Sequence, residues 1–163
     1  MTDRVVVNAS PMIALLGIGQ EGLLEKLFDV VCIPAAVIAE IEAGRETDTN
    51  VERLSRLSWL QQVDTPVIPD SVQGWGLGRG ESSVLAVACA EPDCHAVLDD
   101  LAARRCARFL GLTVLGTGAL LVLAKQRGLI GSVRGQLDRL TDHGFRLSER
   151  LIEKLLHAAG EER

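Results

Sequence analysis

What most limits the fold of this chain is the regular alternation of short apolar runs with longer segments of helical spacing. Val5-Val6-Val7 is a β-branched run that breaks at Asn8-Ala9-Ser10-Pro11, and short runs recur at Val30 to Ile33, Leu60 to Val63, Ala96 to Leu98 and Thr113 to Leu115. Apolar runs without polar alternation suit strands covered on both faces. Between them, helical spacing predicts a helix opened by Ser10 as N-cap with Pro11 at its first position and ending at Gly17. Further helices are predicted over Glu21 to Leu27, Pro34 to about Ala43 before Gly44, Val51 to Leu57, Glu81 to Ala90 and Ala102 to Leu110 before Gly111. Gly118 to Arg127, Val133 to Asp142 and Ser148 to Ala159 complete the series, while Asp64 to Gly80, rich in Pro and Gly, reads as a loop. Parallel strands need crossover connections, so this order predicts an α/β three-layer fold with a central, mostly parallel sheet flanked by helices. With 163 residues the chain reads as a single domain, 1–163.

In such sheets ligands sit at the carboxyl ends of the strands, near a switch in strand order. That rule nominates Asn8, the Asp99-Asp100 pair and Gly116-Thr117. Two adjacent carboxylates repel unless their surroundings differ, so one of Asp99 and Asp100 is expected to cap the helix beginning near Leu101 and the other to face the strand ends. Glu81 follows Gly78-Arg79-Gly80 and falls in a first helical turn, where a carboxylate either faces a site or simply complements the helix dipole. On the helix after Pro34, Val37, Ile38 and Ile41 mark the buried face, and Glu40 and Glu42 flank it on opposite sides. Periodicity does not choose between them.

Composition removes several function classes. No apolar stretch approaches the roughly 18 to 20 residues of a membrane span, and no basic and apolar leader precedes Val5, so a cytoplasmic protein without membrane contact is expected. Cys32, Cys89, Cys94 and Cys106 lack the paired spacing of a zinc site and are expected to be small buried hydrophobes. His95, His143 and His157 stand at no catalytic spacing, and no G-x-S-x-G surrounds any serine. Gly74, Gly76, Gly78 and Gly80 alternate, but the first strand-to-helix turn contains no glycine, which argues against a dinucleotide site. Only five aromatics occur, Phe28, Trp59, Trp75, Phe109 and Phe145, so base-stacking platforms for single strands are not expected to dominate any nucleic-acid contact. The formal net charge of −5 is unevenly distributed: residues 1–100 hold 6 Lys and Arg against 16 Asp and Glu, and residues 101–163 hold 11 against 6. An acidic half beside a basic half fits either solvated helix faces or a cation site next to an anion-binding surface.

Four ordered segments, V-V-V-N-A-S-P-M-I-A-L-L, I-P-A-A-V-I-A-E-I-E-A-G, G-R-G-E-S-S-V-L-A-V-A and V-L-D-D-L-A-A-R-R-C-A-R-F-L-G-L-T-V-L-G-T, resemble a PIN domain across residues 5 to about 130. They are most similar to a subgroup of small prokaryotic, VapC-like toxin ribonucleases with Asn in the first motif. The resemblance implies a Mg²⁺- or Mn²⁺-dependent ribonuclease in which Asn8, Glu40, Glu81 and Asp99 hold metal. Glu40, Glu81 and Asp99 take the catalytic acidic positions, with Asp100 as substitute for Asp99 and Thr117 at a polar position after the next strand. Arg104, Arg105 and Arg108 are candidates for holding the RNA backbone. Expected partners are RNA, an antitoxin protein and a second copy in a homodimer, with residues 131–163 forming C-terminal helices that cap the domain or bind a partner. Because Asn8 replaces a carboxylate, the alternative is a PIN-fold module, catalytically weak or inactive, that binds RNA or a partner protein. A phosphoesterase acting on small phosphates is a third reading.

Overall fold

The computed structural model describes residues 3–44 and 48–162. Five strands, β1 (Arg4–Val7), β2 (Val30–Pro34), β3 (Leu60–Val63), β4 (Cys94–Val97) and β5 (Val114–Leu115), form one sheet in the order β3-β2-β1-β4-β5, with every pairing parallel. The valines of β1 are fully buried because the first strand in sequence is the central one in space. The edge strands are less covered, and Gln61 and Gln62 of β3 are exposed.

The connections are helical. α1 (Ala9–Gly17) and α2 (Gly22–Leu27) lead from β1 to β2, and α3 (Ala35–Ala43) and α4 (Asp48–Ser55) lead to β3. α5 (Asp70–Gln73) and α6 (Arg79–Ala90) precede β4, α7 (Leu101–Phe109) links β4 to β5, and α8 (Thr117–Gln126), α9 (Val133–Asp142) and α10 (Glu149–Ala158) follow. α6 lies against β1, β2 and β4 and packs on α3, while α8 gathers α1, α2, α9 and α10. The result is the three-layer α/β arrangement that the alternation predicts. Among the described residues no helix is long and apolar enough to cross a membrane.

Three local readings change. α1 begins at Ala9 with Asn8 as its N-cap, not at Pro11 with Ser10, because the sheet continues one residue past β1: the Asn8 N–H donates to the Val97 carbonyl at 3.1 Å. Pro11 then falls in the first turn, where its missing N–H costs nothing. The loop between β3 and α6 contains the short α5, which starts after Pro69. Cys32, Cys94 and Cys106 are buried as expected, whereas Cys89 is exposed; all four are free thiols.

The C-terminal helices are closed by one side chain. Glu161 accepts from Lys125 Nζ at 2.8 Å and from the backbone N–H groups of Val133 at 2.7 Å and Arg134 at 3.1 Å. It thereby satisfies the free N–H groups at the start of α9 and joins that helix to α8.

Candidate active site

The chain builds β1 to β3 outward on one side and then returns to place β4 on the other side of β1, so the strand order switches between β1 and β4. Asn8 and Asp99 lie just past the carboxyl ends of these two strands, where an open parallel sheet leaves room for a ligand. Asn8 is 4% exposed, and its Oδ1 is buried without any hydrogen-bond donor. Glu21 Oε2 is the other such atom among the described residues, but its carboxylate is already paired with Arg53 through Oε1. An unpaired buried oxygen costs about 1–3 kcal/mol, so Asn8 Oδ1 marks a place where the fold leaves an acceptor uncompensated.

Gly80, in the first turn of α6, explains how this acceptor meets a carboxylate. A Cβ at Gly80 would overlap Glu40 Oε2 and lie 3.3 Å from Asn8 Oδ1, so the missing side chain lets both oxygens converge beside the helix backbone. Glu40 arrives from α3, which packs closely on α6. Burial raises the Glu40 carboxyl above its ordinary range, and the neighbouring negative charge of Glu81 raises it further. Gly78 does for Glu81 what Gly80 does for Glu40, since a Cβ there would come within 2.6 Å of Glu81 Oε2. Glu42 takes the opposite side of α3, beside Ile38, Val51 and Leu54. Packing against α6 thus brings Glu40, and not Glu42, beside Gly80.

Asp99 is held differently. Thr117, fully buried at the start of α8, donates its hydroxyl to Asp99 Oδ2 at 2.6 Å and its backbone N–H to Oδ1 at 2.8 Å. Burial raises the Asp99 carboxyl, while the two Thr117 hydrogen bonds and the Arg104 charge pull in the other direction without fully compensating. Arg104 donates to the Leu98 carbonyl at 3.0 Å, and a Cβ at Gly116 would meet its Nη1 at 2.7 Å and Asp99 Oδ1 at 3.2 Å. Asp100 is exposed and caps α7, accepting from the Ala103 N–H at 2.9 Å. Asp100 is therefore the aspartate that caps α7, while Asp99 turns to the start of α8.

Asn8 Oδ1 and Glu40 converge at Gly80, with the Glu81 charge acting on Glu40, while Asp99 is engaged with Thr117 and Arg104. Among the described residues no three His, Cys, Asp or Glu side chains are gathered into one metal-binding cluster. Both Asp99 oxygens serve the start of α8. Sequence reasoning did not single out Gly78, Gly80 or Gly116 as residues that make room for the acids. The signal available was G-R-G-E, two glycines at alternate positions ahead of a first-turn glutamate.

The oxygen set fits a hard divalent cation: an amide oxygen without a donor, facing a carboxylate and next to a second one, is the chemistry that Mg²⁺ and Mn²⁺ favour. A family model described as a PIN domain matches residues 4–161. No curated protein matches the sequence.

Proposed function

From the premise that the chain belongs to the PIN-domain family, whose members are generally nucleases, we propose that it is a Mg²⁺- or Mn²⁺-dependent endoribonuclease and the toxin of a toxin–antitoxin pair. The observation that carries this reading is the buried, unpartnered Asn8 Oδ1 opposite Glu40 across Gly80. Asn8, Glu40 and Glu81 hold the ion, and Asp99 joins them across the strand ends. When bound, such an ion acidifies a water and offsets the charge on the phosphate.

The chain's own groups do the rest. Glu40 and Glu81 supply the negative charge that Asn8 lacks, and a bound cation relieves the repulsion that raises the Glu40 carboxyl. Thr117 keeps Asp99 oriented from the start of α8. Asp100 holds α7 in place through its cap, a positioning role. Arg105 and Arg108 are exposed on α7 and free to meet phosphates, whereas Arg104 spends one nitrogen on Leu98. A homodimer and an antitoxin that covers the acidic groove complete the proposal.

A second reading, a PIN-fold module that binds RNA or a partner protein without cutting, is favoured by the amide at position 8, which removes a full charge beside the cation. Cleavage of a panel of structured RNAs in Mn²⁺, Mg²⁺ or EDTA, by wild type, Asn8→Asp and Asp99→Asn, separates the two. Metal-dependent cleavage lost in Asp99→Asn supports the nuclease. A silent wild type, with activity gained by Asn8→Asp, overturns it in favour of the binding module.

A further inference from the structure

Trp75 and Phe109 are 34 positions apart in the chain, yet their rings meet at the surface with centroids 6.0 Å apart and an interplanar angle of 54°. Phe109 is 74% exposed and Trp75 38%, a combination that the fold's own packing does not require. Both are tied to the candidate site by short pieces of chain. Trp75 stands six residues before Glu81, and Phe109 ends the helix that begins directly after Asp99 and Asp100. On α7, Leu101, Arg105, Arg108 and Phe109 fall within one exposed arc, while Ala103, Cys106 and Ala107 on the other side are buried. Over eight residue steps this face runs about 12 Å away from the site, a distance covered by about three or four stacked nucleotides at ~3.4 Å each.

We propose that the exposed face of α7, with Arg105 and Arg108 along it and the Trp75 and Phe109 pair at its far end, is a subsite for the unpaired strand flanking the phosphate to be cut. This rests on the nuclease reading of the strand-end site. Two arginines without an acidic partner on their arc suit a phosphate backbone, and an exposed aromatic pair offers bases a π-face regardless of their identity. A protein partner would gain area from Leu101 and Phe109 but would have to cover both guanidinium groups. A polyanion uses all four side chains, and charge complementarity selects it. Bases paired in a duplex cannot stack there, so the subsite discriminates by strandedness.

The test is binding of a labelled single-stranded RNA, and of the same strand in a duplex, followed by fluorescence anisotropy in EDTA. Phe109→Ala and Trp75→Ala should each weaken single-strand binding by about 5- to 100-fold and leave duplex binding nearly unchanged. Arg105→Ala with Arg108→Ala should weaken both and lower the salt dependence by about two phosphate contacts. Because Phe109 is exposed, its substitution is expected to leave the melting temperature in place, which a parallel melt verifies. Unchanged single-strand affinity in Phe109→Ala and Trp75→Ala overturns the subsite. So does a change in oligomeric state with RNA binding intact, which would make this face a contact between copies. A wild type that binds through Phe109 but cuts nothing in Mn²⁺ sinks the nuclease reading alone, and one that cuts equally well with and without Phe109 sinks the subsite alone.

Discussion

Asn8 is neutral where a carboxylate would bring a third negative charge beside Glu40 and Glu81, and Glu40 is already raised by burial and by its neighbour. Asn8→Asp is therefore expected to lower the stability of the metal-free protein by about 1–3 kcal/mol, as a buried charge added among like charges. The same variant should show a larger Mn²⁺-induced rise in melting temperature than wild type, since the added carboxylate gains most from the cation. Paired thermal melts with Mn²⁺ and with EDTA check both halves; a variant that melts like wild type in EDTA would place the Asn8 side chain away from the glutamates. Thr117→Val removes the hydroxyl donor while keeping the shape of the side chain. A hydrogen bond to a charged group contributes about 1.5–3 kcal/mol, and urea unfolding should show a loss in that range. Mn²⁺ affinity should fall about 10-fold or more, as when a ligand loses the group that orients it. The loss of this lowering interaction leaves Asp99 raised even further, so the variant's carboxylate ionises only at higher pH.

At the level of elements, the contact between α3 and α6 makes a prediction that separates function from folding. Gly80→Ala adds a better helix former to α6, worth about 0.5–1 kcal/mol in a helix, but the new methyl takes the space of Glu40 Oε2. Stability should stay within about 1 kcal/mol of wild type while RNA cleavage and Mn²⁺ binding both drop, read by calorimetry beside a cleavage assay. Cleavage at the wild-type level would remove Glu40 from the site. Much of this architecture is legible in the chain itself. The valines of β1 and the turn at Asn8 announce a buried strand and its end, β3 and α9 carry the expected boundaries, and the split between Asp99 and Asp100 follows from helix capping. Other features depend on distant partners. Only packing of α3 on α6 distinguishes Glu40 from Glu42, and only pairing of Asn8 with Val97 moves the N-cap from Ser10 to Asn8. The meeting of Trp75 with Phe109, and the hold of Thr117 on Asp99, are set by how whole connections lie over the sheet, which no local pattern encodes.

Across the whole molecule, the reversal of charge along the chain acquires a spatial meaning at α7, whose acidic start borders the strand-end site and whose basic face leads away from it. The basic half is itself locked by an acid. Burial raises the Glu161 carboxyl, but hydrogen bonds from Lys125, Val133 and Arg134 together with the Lys125 charge outweigh it and bring it down to about 2. A carboxyl depressed in the folded state stabilises that state above its unfolded pKa of roughly 4.3, and the contribution disappears as pH falls towards about 2. Glu161→Gln should therefore be less stable than wild type at pH 7, with the difference shrinking between about pH 4.3 and 2; a pH-independent difference in urea unfolding would count against the ionic clamp. The sheet order also bears on when the site can come into being. β1 leaves the ribosome well before β4, some ninety positions later, which it needs as its second neighbour, and Asn8 takes its place through the Val97 carbonyl. Pairing over so long a separation is slow and comes late in folding. A nascent or truncated chain lacking β4 has no assembled strand-end site, so whatever that site does waits until β4 has been synthesised.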